Sequence, residues 1–260
     1  MRRDGRRMSR LLEAEFGTEP AFRRLSALTA LDEPARTALQ RAMNRARMVA
    51  ARRDVLAEGA EINETLLVLD GWAARFRQLE DGRRQIIGLL LPGDLIGLCD
   101  QERPLASCSI VAITDLQLCV APDRAASPTL ARAYALSRAL DEVHLIGHIT
   151  RLGRLDAHER MIDLMLELLE RMDLAGLTEG GQYALPLTQE VLADLLGLTA
   201  VHVNRTLQAM RRAGDIASHG RALAIANPPA LYRRIARTSP RVSALERSAT
   251  GRLNFMGGLT

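Results

Sequence analysis

The hydrophobic period of this chain changes twice, and that constrains the fold more than any other feature. From Arg47 to Val120 the apolar residues come in short runs of period two. Leu66 to Leu69 runs into Asp70-Gly71, Trp72 to Leu79 into Asp81-Gly82, and Ile86 to Leu91 into Pro92-Gly93. Ser109 to Ile113 and Leu116 to Val120 continue the series. Period two sends alternate side chains to opposite faces of a strand. Asp-Gly between apolar runs favours a hairpin, because both turn residues take positive φ. Short strands at such even spacing, punctuated by turns, point to a barrel or sandwich.

On either side the period is helical. Leu28, Leu31, Leu39 and Met43 recur at helical intervals within a stretch of short helices from Leu25 to Met48, with Asp32-Glu33-Pro34 as a helix start. After Pro128, Leu136, Leu140, Val143 and Gly147 alternate three- and four-residue steps, which is coiled-coil spacing. Such a seam needs cover, from a second copy of the chain or from the β part. Asp156 with Glu159 three residues on has the pattern of a capping box opening a further helix, Met161 to Met172. Arg154, Leu155 and Asp156 are therefore the expected hinge. Glu179-Gly180-Gly181 marks the next boundary.

Charge separates these regions. All 35 basic residues among the 260 are arginine, most simply a base-composition bias of the genome, against 31 acids. Residues 1–53 carry 13 arginines and 6 acids, residues 54–122 carry 5 and 11, and residues 173–260 carry 10 and 6. An acidic middle between basic ends suggests separate jobs. No apolar run approaches the ~20 residues of a membrane span. No secretory h-region follows the basic start, and three cysteines show no paired metal spacing, so the cytoplasm is the expected compartment. Met8 is an alternative start to Met1.

Residues 189–208, QEVLADLLGLTAVHVNRTLQ, hold two helical patterns that meet at Gly197. Ala193 is small where two helices would approach, and Gly197 suits a left-handed turn. Leu192, Leu195, Leu196, Val203 and Leu207 would form a shared core. The opposite face shows Thr199, His202, Asn204, Arg205, Gln208, Arg211 and Arg212, with no acid from Thr199 to Arg212. Arg can bridge guanine O6 and N7, and Asn can bridge adenine N6 and N7. The residues expected to read bases are Val201, His202, Asn204 and Arg205. Those expected at phosphates are Thr188, Gln189, Thr199, Gln208 and Arg211, joined by His219 and Arg221 on a following hairpin, Ile216 to Ile225. A helical hairpin with a solvated polar face is the plainer alternative.

At these residues the chain resembles the Crp/Fnr-type transcription regulators, from about Leu25 to Leu231. GWAARF, DGRRQI and LPGDLIG resemble the family's cyclic-nucleotide-binding-like roll, and LTQEVLADLLGLTAVHVNRTLQAMRRAGDI its winged-helix segment. The resemblance implies an α+β protein: an N-terminal antiparallel β-roll (jelly-roll-like), a long dimerisation helix, and a C-terminal winged helix-turn-helix. The expected division is a flexible segment 1–24, a sensory roll 25–127, a dimerisation helix and hinge 128–155, a DNA-binding domain 156–238, and a flexible tail 239–260. The implied partners are a double-stranded DNA operator, a second copy of the chain through Leu136, Leu140, Val143 and Gly147, RNA polymerase, and an unidentified small effector in the roll. No membrane and no enzymatic activity are implied.

Departures from the family pattern narrow the reading. Cyclic-AMP-binding members carry a Gly-Glu-Leu turn and an Arg-Ser or Arg-Ala pair. Here these align as Ile96-Gly97-Leu98-Cys99 and Ala106-Ser107, although Arg103 stands close by and could reach in. No cysteine precedes Cys99, which argues against an iron–sulfur cluster. Cys99, Cys108 and Cys119 read as small buried hydrophobes, with a redox role for Cys99 or Cys108 as the alternative. On the reading helix, Val201 occupies the position where many relatives have glutamate. His144 and His148, at i and i+4, could bind metal or report pH, but such residues more often line an interface or surface; no cofactor or metal site is expected. A cupin-type enzyme is disfavoured because residues 47–122 contain no histidine. The remaining rival is a cytoplasmic ligand or redox sensor whose main output is not DNA binding.

Overall fold

The computed structural model describes residues 19–240 and 242. It comprises two units: one reaches Arg138 and includes Met172–Leu177, and the other holds Ala139–Arg171 and the chain from Thr178. Most of both expected flexible ends lies outside the described residues.

The first unit opens with α1 (Pro20–Leu28) and α2 (Glu33–Met43). Asp32 caps α2 by accepting the Ala35 N–H at 3.0 Å. Eight strands follow: β1 (Arg47–Val49), β2 (Asp54–Leu56), β3 (Leu66–Asp70), β4 (Ala73–Gln78), β5 (Arg84–Leu90), β6 (Leu95–Ile96), β7 (Ser109–Ala112) and β8 (Leu116–Val120). They form two antiparallel sheets of order β1-β8-β3-β6 and β2-β7-β4-β5. Leu66, Val68, Leu116 and Leu118 from the first sheet pack with Ala73, Leu90, Ile110 and Ala112 from the second. The alternate positions Leu67, Leu69 and Cys119 point the other way. There they meet Ala21, Phe22 and Leu25 of α1, Leu39 of α2, and Leu130 and Tyr134 at the start of α3 (Pro128–Arg154).

That second core corrects the expected flexibility for residues 20–24. Pro20 sets the first turn of α1, and Ala21, Phe22 and Leu25 share one helical stripe that covers the sheet. Arg24, 3% exposed, donates to the Gly93 carbonyl at 2.7 Å and to Ser137 Oγ at 3.0 Å, and it pairs with Asp94 at 2.8 Å.

The two Asp-Gly turns behave differently. Asp81-Gly82 closes the β4–β5 hairpin, as expected. Asp70-Gly71 does not close a hairpin: β3 and β4 belong to different sheets, so the chain changes layer there. The returning chain changes layer beside it, since β7 and β8 are divided in the same way. Trp72 N–H donates to Thr114 Oγ1 at 2.9 Å, and Ile113 N–H donates to the Trp72 carbonyl at 2.7 Å. At Gly71, φ is +86° and a Cβ would stand 2.2 Å from the Asp115 carbonyl oxygen. Gly71→Ala is therefore expected to cost about 2–3 kcal/mol of stability by urea unfolding; a loss below about 0.5 kcal/mol would contradict this account of the corner.

In the second unit α3 ends at Arg154, and α4 (Ala157–Leu174) begins after the capping residue Asp156. Then come β9 (Gln182–Ala184), α5 (Gln189–Leu196), α6 (Ala200–Arg212), β10 (Ile216–His219), β11 (Ala222–Ile225) and α7 (Pro228–Arg234). The third sheet has order β10-β11-β9, so the hairpin expected after the reading helix forms and gains a strand. None of the described helices is long and apolar enough to cross a membrane.

Candidate nucleic-acid interface

Two short helices and a turn set the geometry. Thr188 caps α5 by accepting the Val191 N–H at 3.3 Å, and Thr199 caps α6 by accepting the His202 N–H at 3.2 Å. Between them Gly197 takes φ 62° and ψ 41°, the left-handed conformation that ends α5. Leu192, Leu195, Leu196, Val203 and Leu207 are all buried, and Ala193 is buried with them. These are the residues the pattern assigned to the shared core.

Burying that side of α6 forces the other into solvent. Val201, His202, Arg205, Gln208, Arg211 and Arg212 are exposed, with Val201 at 63%. Val201 is one of few large apolar side chains so placed, which suits contact with a thymine methyl. Arg205 makes no hydrogen bond or ion pair with the described residues, so its five donors face outward uncommitted. Asn204 is different: it is half-buried, and its Oδ1 accepts from Gln208 Nε2 at 2.8 Å. The acceptor half of its amide is engaged within the helix.

Of the residues expected at phosphates, Thr188, Gln189, Thr199, Gln208, Arg211 and Arg221 are all exposed, along the α5 and α6 starts, the α6 face and the hairpin tip. The threonine oxygens act as caps; the Thr199 hydroxyl proton remains to donate, whereas the Thr188 hydroxyl bonds the Glu190 carboxylate. His219 ends β10; its side chain lies outside the described residues.

The expected hinge is a bonded corner. Asp156 Oδ1 accepts the N–H groups of His158 and Glu159 at 2.8 and 2.9 Å, and Asp156 N–H donates to Glu159 Oε2 at 3.0 Å, the reciprocal capping box. Arg160 then spans three carbonyls: Leu155 at 2.8 Å, Leu152 at 2.9 Å and Leu196 at 3.0 Å. One turn before the corner, Arg151 is 2% exposed and donates to Asp163 at 2.7 Å and to Glu167. Asp163 also pairs with Arg237, which donates to Glu170 at 2.8 Å, and Glu167 pairs with Arg171 at 3.2 Å. Sequence reasoning missed this cluster. Its signal, three acids and an arginine on the inner side of α4, is visible only once the helix faces are known.

The long helix carries its most exposed apolar residues beside the expected seam. Leu140 is buried within its own chain, and Leu136, Val143 and Gly147 are half-buried. The exposed large apolar residues of α3 are Leu145, Ile146 and Ile149, at 44, 56 and 63%. The coiled-coil pattern marked one flank of the helix, whereas the uncovered stripe lies farther round.

The roll gives no support to a cyclic nucleotide contact from Arg103, whose guanidinium binds Glu61 through two bonds of 2.8 and 3.0 Å and is 82% exposed. Cys119 is buried and Cys99 and Cys108 are half-buried, all three with free thiols. Burial pushes the Cys119 thiol up to about 11 and raises Cys108 as well, so neither favours the thiolate. Among the described residues no three His, Cys, Asp or Glu side chains gather as a metal site. His148 is buried, and His144 lies near Glu167.

Residues 46–132 match the family described as a cyclic nucleotide-binding domain, and residues 159–234 match the Crp-like helix-turn-helix domain. The chain is 32% identical to the transcriptional activator protein FnrL of Cereibacter sphaeroides over 66% of this chain and 72% of that protein. It is 31% identical to the nitrogen fixation regulation protein FixK of Azorhizobium caulinodans over 72% and 77%. Among solved structures, FixK2 from Bradyrhizobium japonicum superposes with a TM-score of 0.65 at 27% identity, covering 75% of this chain and 98% of that one.

Proposed function

Because the chain belongs to the Crp/Fnr family of DNA-binding transcription regulators, which are not enzymes, we propose that it acts as a cytoplasmic homodimer on a two-fold operator, with α6 reading each half-site. The division proposed is a roll ending near residue 127, a dimerisation helix with its corner at 154–156, and a DNA-binding domain from Asp156. The carrying observation is the exposed, acid-free face of α6, with Arg205 uncommitted at its centre. Val201, His202, Asn204 and Arg205 face the bases, and Thr188, Gln189, Thr199, Gln208, Arg211, His219 and Arg221 the backbone. Two-fold pairing would bring the two α6 helices to major grooves about one turn apart. Leu145, Ile146 and Ile149 form the contact between copies, in place of a seam centred on Leu140.

Control by cyclic AMP or an iron–sulfur cluster is not part of this reading. Alanine stands at the family's phosphate-binding arginine, and Arg103 is turned to Glu61. RNA polymerase is the proposed downstream partner, and any small effector of the roll is of another class.

The test is selection of genomic fragments by the purified protein, followed by Arg205→Ala on the winning site. The variant should lose about 1–3 kcal/mol on the operator and discriminate less at one base pair. Equal losses on operator and random duplex would defeat the assignment, since a phosphate contact weakens both alike.

A further inference from the structure

A cavity of about 400 Å³ opens between α6 and the first turn of α4. Asp156 and His158 line it from the corner, and His202, Arg205 and Thr206 from the reading helix. Its charge depends on two imidazoles. With both neutral, Arg205 faces Asp156, one cation against one anion. With both protonated there are three cations against one anion. Asp156 is also the less available of the charges, because its Oδ1 already accepts two backbone N–H groups.

Charged groups stand around both imidazoles. His158 Nε2 is buried, lacks a hydrogen-bond partner and lies 3.7 Å from Asp215 Oδ2 at the root of the hairpin. Asp215 is held ionised by two bonds from Arg234 of α7, at 2.7 and 2.9 Å. Its carboxyl sits below the usual range, chiefly through those bonds and against the effect of burial. On its own helix His158 has Glu159 beside it. His202 has Arg205 one turn on and Asp156 across the cavity. Imidazole is the side chain that ordinarily changes charge between pH 5 and 8.

We propose that this cavity receives a DNA phosphodiester and that protonation of His158 and His202 completes it, so that operator binding takes up protons. The proposal rests on α6 being the DNA-facing helix, adds His158, from outside that helix, to the interface, and moves His202 from the bases to the backbone. Each imidazolium is one more cation displacing counterions from the duplex, so both affinity and its salt dependence should change with pH.

The experiment titrates the full-length protein with the selected operator duplex at pH 6 and pH 8 across a salt series. Affinity should rise about tenfold or more from pH 8 to pH 6, and the salt slope should steepen by about one to two. His158→Gln and His202→Gln should each remove part of both changes, and the double variant nearly all. Circular dichroism confirms the fold of each variant, and the single variants carry the test if the double variant is unstable. Equal affinity and slope at both pH values in the wild type would overturn the site alone. So would a double variant that keeps the dependence, which His144, His148 or His219 would then carry. A wild type that binds no operator at either pH would overturn the reading of α6 together with the site.

Discussion

Arg151→Ala is expected to lower stability by about 3–5 kcal/mol at pH 7, because it leaves two buried carboxylates without their shared cation. Asp163 retains Arg237, and Glu167 retains Arg171, but both lose the guanidinium that joins the end of α3 to α4. The loss should depend on pH. Burial pushes the Glu167 carboxyl up, but Arg151, His144 and Arg171 more than reverse this and hold it well below the ordinary carboxylate range. A carboxyl depressed in this way contributes stability that is full above its unfolded value, about 4.3, and is lost as pH falls through the folded value. Without Arg151 the folded value rises, and protonation then relieves the buried charge. The gap between wild type and variant should accordingly narrow from pH 7 toward pH 4. Urea unfolding at several pH values measures this, and an unchanged midpoint at pH 7 would remove the cluster from any account of stability.

Ile149→Glu should separate the copies. The side chain is 63% exposed in the single chain, so the monomer tolerates a carboxylate there. Between two helices the same carboxylate would be desolvated beside its symmetry mate, at a cost of about 2–4 kcal/mol or more per dimer. Sedimentation should show monomer at micromolar concentration with an unaltered circular dichroism spectrum. Operator affinity should fall by about 10²–10⁴-fold as the second half-site ceases to be an intramolecular contact. Leu140→Glu gives the contrast: it should unfold the helix region rather than yield a folded monomer, because Leu140 is buried in its own chain. If the two variants behaved alike, the stripe through Ile149 would not be the contact.

The parts that were legible in the sequence share a physical basis. The reading unit was legible because its signals are local: a cap at Thr188, a glycine at the left-handed turn, a cap at Thr199 and apolar residues at helical offsets. The existence of β3, β4, β5, β7 and β8 was legible for the same reason, whereas the short β1, β2, β6 and β9 were not marked out. Strand partners were not legible, and Asp70-Gly71 shows why. Its composition suits a tight hairpin, but whether the next strand folds back or crosses to the other sheet depends on Thr114 and Asp115, more than forty residues away. The contact face of α3 was not legible from spacing. Leu136, Leu140, Val143 and Gly147 have the right spacing, but spacing fixes a stripe without saying which stripe the chain itself covers. Arg24 and Arg151 were illegible because arginine is read as a surface residue, and only the fold shows the carbonyls and carboxylates that meet it inside.

The three bonds of Arg160 set a threshold on how the corner can respond. Each is a hydrogen bond from a charged donor, so opening all three costs roughly 4–5 kcal/mol or more. Coupling between an effector site and a distant one is typically about 1–3 kcal/mol. A signal of that size leaves the guanidinium seated on Leu152, Leu155 and Leu196. It can turn the corner as one piece with α5, but it lacks the work to unfasten it.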